Sequence, residues 1–258
     1  MQGAAGVTTL VLVETVVGGL AFLLLTPLWG EVKRGFFTLV LITTAILALA
    51  ALGSAGSAVL PGDADGARAL VGVRALAAAT SLAAVAFVLR RPVVGRVLGC
   101  IALPVGVAAL LALAATGQAE FGVAALQLLA GAAFLGAVLD GLLLGHWYLT
   151  DRGLTRTPIL RGTTLLGVGV VLEAIAIAVG GFGPTASSQA FNPLLTSAGL
   201  ASWIALGMVG TTALVAVFIR ITLRGERSSA VQAATGFFYL AVITAATAEF
   251  AAKVRFLP

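Results

Sequence analysis

The sequence predicts an all-α integral membrane protein, with about eight transmembrane helices in one compact bundle and both termini on the non-cytoplasmic side. Three observations predict it. Of the 258 residues, 60% are hydrophobic and only 10% charged, against roughly 25% charged in a soluble domain. Apolar runs recur along the whole chain, and each approaches the ~20 residues a helix needs to cross the hydrocarbon. The basic residues gather in short connectors on alternate sides. A β-barrel would alternate apolar and polar residues in short segments, whereas these runs are continuous and rich in Ala, Leu and Val.

The elements follow in order, with residues 1–258 read as a single transmembrane domain. Span one, 6–29, ends at "GEVKRG". It has no basic leader and too long an apolar stretch for a cleavable signal, so it is expected to be retained. Span two, 35–60, carries the small-residue face "GSAGSA" and stops at "PGDADG". Span three, 68–90, holds Arg74 and stops at "RRPVVGR". Span four, 97–116, contains Pro104, which predicts a kink. Span five, 121–148, follows "TGQAE" and ends in "GHWYLTDRG". Span six, 161–183, contains "GVGVVLEAIAIAVGG", a second small-residue face. Span seven, 194–219, follows "GPTASSQAFNP", and span eight, 229–251, follows "RITLRGERSS". The breakers in these connectors are Gly, Pro, Ser and Asp. The 32 glycines, with many alanines, let helices approach closely.

Orientation follows from the basic residues. One side holds Lys33, Arg34, Arg90, Arg91, Arg96, Arg152, Arg156, Arg161, Arg220, Arg224 and Arg227; the other holds Arg68, Arg74, Lys253 and Arg255. The positive-inside rule puts the first set in the cytoplasm and both termini outside, in a bacterial plasma membrane. The net charge of +5 is thus a topology signal and implies no nucleic-acid partner.

Several chemistries are excluded. The single cysteine, Cys100, rules out an internal disulfide, a CxxC pair and a cysteine-bound iron–sulfur cluster. One histidine cannot supply both axial ligands of a haem, so this chain alone ligates none in that way. There is no phosphate loop, dinucleotide fingerprint or nucleophile elbow.

Ionisable residues within apolar spans are costly and need a partner or a purpose. They are Glu14, Arg74, Asp140, Glu173 and Glu249, with His146 at a span edge. An outer group of Glu14, Arg74, Glu173 and Glu249 is expected, with Gln118 and Glu120 at its mouth. Arg74 reads as the sole intramembrane cation, neutralised by Glu14 or Glu173, with the carboxyl left over free to carry a proton. An inner group holds Asp140 and His146. Six residues on a helix give about 240° of net rotation, so these two do not share a face. His146, followed by Trp147 and Tyr148, reads first as an interfacial anchor and second as a ligand or proton carrier.

Two function classes compete. In the first, the chain is a membrane anchor subunit of a respiratory electron-transfer complex. It docks peripheral redox subunits and forms a quinone site from Glu14, Arg74 and Glu173, with Asp140 and His146 as further candidates. Any enzymatic role is then that of a quinone-interacting subunit, and a bound quinone is the expected cofactor. In span count and loop brevity the chain resembles the eight-span anchor subunits of the dimethyl-sulfoxide-reductase and polysulfide-reductase type, a resemblance of topology that carries over no residue. In the second, the chain is a proton-coupled secondary transporter. A purely structural or assembly subunit is the third reading. The bilayer is a partner in all three.

Overall fold

A computed structural model of the chain describes residues 1, 3–26, 28, 30–117, 119–151, 153–182, 199–225 and 229–254. The described residues form eight helices and no strand: α1 (Gly3–Leu25), α2 (Arg34–Ala58), α3 (Ala64–Val88), α4 (Pro92–Ala114), α5 (Phe121–Thr150), α6 (Thr157–Gly180), α7 (Leu200–Arg224) and α8 (Ser229–Val254). All eight are long and apolar enough to cross a membrane. Large apolar side chains such as Val71, Val93, Leu214 and Ile243 are exposed on the outside of the bundle. Water would penalise that surface, whereas lipid does not.

The helix ends differ from the sequence expectation where polar caps and prolines act. Asp63 caps α3 by accepting from Gly66 N at 2.8 Å, so α3 begins four residues before the expected 68. Pro92 opens α4 and Pro158 lies in the first turn of α6, where a missing N–H costs nothing, and these helices again begin four to five residues early. α4 runs on through Pro104 to Ala114. α7 continues to Arg224 rather than 219, and α8 to Val254 rather than 251. The expected start of span seven at 194 lies outside the described residues, as do Gln118, Arg152, Arg227 and Arg255.

Helices α1 and α5 form the centre. α1 packs on α2, α4, α5 and α8, and α5 packs on α1, α4, α6 and α8. The two central helices meet almost backbone to backbone. A Cβ at Gly18 would collide with the Ala132 carbonyl, and one at Gly136 with the backbone of Gly18. Only glycine permits that approach, which is how membrane helices gain dispersion contacts without a hydrophobic drive. Hydroxyl pairs add cross-links: Thr9 with Ser54 at 2.9 Å between α1 and α2, and Thr212 with Thr244 at 2.7 Å between α7 and α8.

With eight antiparallel spans, the start of α1 and the finish of α8 share one end of the bundle, called here the terminal end. The starts of α3 and α5 lie there too. The other end holds the starts of α2, α4, α6 and α8.

Candidate functional site: a buried acid–base cluster

Glu14 is the twelfth of the 23 residues of α1 and so lies at mid-span. It is fully buried, as is Glu249 on α8, while Glu173 on α6 is 1% exposed. The last turn of α8 brings in the cation. Lys253 Nζ lies 2.9 Å from Glu14 Oε1, 3.0 Å from Glu249 Oε2 and 3.1 Å from the Gln127 carbonyl of α5. Glu173, buried on α6, feels the charges of Glu249 and Lys253 without pairing directly with the ammonium, whose ion pairs among the described residues are with Glu14 and Glu249.

Local geometry explains the gathering. Helical side chains lean toward the helix N-terminus. Lys253, although near the end of α8, therefore reaches back into the bundle, and Glu249 one turn earlier shares its face. On α5, Gly131 leaves room for the acids. A Cβ there would lie 2.6 Å from Glu14 Oε1 and 3.0 Å from Glu249 Oε2. Four helices (α1, α5, α6 and α8) thus close around three carboxyls and one ammonium.

The cluster has more acids than bases. One ammonium balances one carboxylate. The other two carboxyls require protons or an added cation, because unbalanced charge in a low-dielectric interior is expensive. Glu14 Oε2, Glu249 Oε1 and Glu173 Oε2 have no hydrogen-bond partner among the described residues. The arrangement can therefore hold a variable number of protons.

Arg74 does not join this cluster. The outward face of α3 carries it, exposed, while the buried face is Ala69, Val73, Leu76, Ala77 and Thr80. Lys253 supplies the intramembrane cation that the sequence reading assigned to Arg74. That correction has a physical cause, since both faces of a membrane helix are apolar and hydropathy alone does not tell inside from outside. Glu120 caps α5 through Gly122 N at the terminal end and is exposed.

Toward the opposite end, Asp140 and His146 are separate, as the rotation between them requires. His146 Nε2 is 2.8 Å from the Tyr239 hydroxyl on α8, with the two rings edge to face. Trp147 packs over Gly35 and beside Phe36 in the first turn of α2, and the Tyr148 hydroxyl donates to the Thr155 carbonyl. The three aromatics fasten the end of α5 to its protein neighbours. Asp140 instead lines a narrow cleft between α1 and α6, floored by α5.

Among the described residues no group of three or more His, Cys, Asp and Glu has the geometry to hold a metal ion. Fold and site together define a polytopic helical membrane protein with a sealed acid–base cluster at its core. Comparison with protein-family models, with curated proteins and with solved structures finds no match to this chain.

Proposed function

We propose that the chain is a proton-coupled secondary transporter, with the Glu14–Glu173–Glu249–Lys253 cluster as the proton-carrying element. The observation that carries this reading is the seal. The four residues are each at most 1% exposed, which leaves a proton free to move among them and a quinone ring no approach. Burying three acids around one base has no advantage for stability alone, since a well-packed apolar core would hold the helices as well. Carboxyls that exchange protons inside a membrane are the usual elements of a coupling mechanism.

The opposite end, rich in Arg and Lys, would face the cytoplasm of a bacterial cell, leaving both termini outside. A second reading, the anchor subunit of an electron-transfer complex, draws on one observation. Arg74 stands exposed on α3, eleven residues into a span of 25. A charge there invites an acid from a neighbouring subunit.

The test is infrared difference spectroscopy of the purified protein in lipid as the pH is stepped. A carboxylic C=O band that appears on acidification and is lost in Glu173→Gln supports proton exchange at the cluster. An unchanging spectrum would mean a fixed structural ion pair. Uptake assays in liposomes under an imposed pH gradient then separate a transporter, which moves solute alone, from an anchor subunit, which does not.

A further inference from the structure

We infer that the cleft at Asp140 binds a lipophilic organic cation, taken up in exchange for a proton; this names a substrate class and rests on the transporter reading above. Asp140 is 7% exposed, and neither of its carboxyl oxygens has a hydrogen-bond partner among the described residues. It sits beside α1, where a Cβ on Gly19 would be 4.0 Å from Oδ1. Its side chain lines a cleft whose other walls include Phe22, Leu28, Phe36, Leu144 and Leu165.

Each feature of the cleft narrows the ligand. A buried carboxylate needs a positive charge, and the wall offers it none to spare. Arg161, also in the lining, is committed to Glu31 at 3.3 Å. A metal ion would want more oxygen ligands than one carboxylate supplies. A quinol could donate to Asp140 as well, so competition by a quinone analogue is one of the outcomes tested below. A quaternary ammonium or phosphonium needs no hydrogen bond at all. It needs one negative charge, an apolar wall and aromatic rings to rest on, and Asp140, Leu144, Phe22 and Phe36 are those parts.

The exchange balances. Asp140 in its acid form releases one proton, and the resulting carboxylate pairs with one monovalent cation. Net charge in the cleft is unchanged, so the cleft is occupied by either the proton or the cation. The other charged residue lining it is Arg161 on α6, paired with Glu31 of the α1–α2 connector. α1, α2 and α5 add none besides Asp140, and α4 and α8 line no part of it.

The experiment uses the full chain in lipid nanodiscs and radiolabelled benzyltrimethylammonium, with neopentylbenzene as its neutral carbon isostere. The expected result is saturable binding that tightens as pH rises, with one proton released per cation bound. The isostere should bind at least tenfold more weakly. Asp140→Asn should abolish cation binding. Leu144→Trp, which keeps the carboxyl and fills the cleft, should abolish it too, so a folding defect in one variant does not decide the matter. Equal affinity for cation and isostere, displacement of the cation by a quinone analogue alone, or binding that survives both substitutions would overturn the proposal. Absent cation binding with an intact titrating carboxyl band sinks the substrate class and spares proton coupling. Cation binding with proton release, but with no carboxyl band that Glu173→Gln removes, supports the cleft and takes the cluster out of the coupling.

Discussion

Lys253 Nζ lies 2.9 Å from Glu14 Oε1, so the last turn of α8 is tied to the middle of α1. The same ammonium holds Glu249 at 3.0 Å. Removing one partner of a buried pair strands the other charges, a loss of about 3–5 kcal/mol. Lys253→Met should therefore lower the unfolding midpoint sharply in detergent. Adding Glu14→Gln and Glu249→Gln to the same chain should recover much of the loss, because Glu173 is then the one acid left and a proton neutralises it. Thermal unfolding of the single and triple variants measures both.

How much of this was legible in the sequence depends on the residue. Spans were legible because an apolar run is its own signal. Glu14, Glu173 and Glu249 were legible because an acid inside such a run stands out. Lys253 was not, since it falls past the last apolar stretch and reads as an interfacial base. Its inward reach depends on α8 continuing to Val254 and on the backward lean of helical side chains. Arg74 misled for the opposite reason, being deep by sequence position and on the wrong face. A usable signal existed in the spacing of small residues, because Ala69, Val73, Ala77 and Thr80 mark the buried side of α3. Asp140 was legible as a buried acid, but its cleft was not, because that cleft is assembled from α1, α2, α5 and α6 together.

The contact between α1 and α5 makes a sharper prediction than any propensity argument. Gly18→Val should strike the Ala132 carbonyl and force the central helices apart. Overpacking of a tight core costs about 1–3 kcal/mol where neighbours can yield, and backbone yields less than a side chain. Gly53, on α2, has nothing near its absent Cβ, so Gly53→Ala should be neutral or stabilising by about 0.5–1 kcal/mol. Expression level and unfolding midpoint in membranes would rank the two. A Gly18→Val chain as stable as the parent would mean that the two helices are not in this contact.

Asp63 gives the pH prediction. The Gly66 N–H at 2.8 Å, and then the Met1 ammonium at 2.9 Å, hold its carboxyl below the usual carboxylate range. A depressed folded value means the stabilisation is complete above the unfolded value of about 3.9. It is lost as pH falls through the folded value. The α3 cap should therefore be intact at neutral pH and weaken only in strong acid. Asp63→Ala should remove about 0.5–2 kcal/mol at neutral pH and flatten the acid limb of a stability curve.

Arg74 supplies the last test, because the two function readings treat it differently. Its side chain is exposed on α3, and among the described residues it has no ion-pair partner. Leaning toward the start of α3, it can send its guanidinium toward the terminal end of the bundle, which eases the cost of an arginine in lipid. In a transporter that works alone, Arg74→Leu should change the stability of the purified chain by no more than about 0.5 kcal/mol and leave transport intact. In an anchor subunit the guanidinium would answer an acid on a neighbouring chain, and the same substitution should strip partners from the complex while the chain itself stays folded. Native purification from membranes, with the co-purifying proteins counted for parent and variant, reads that difference directly. Loss of partners from Arg74→Leu would overturn the stand-alone transporter, and an unchanged single-chain preparation would remove the main support for the anchor.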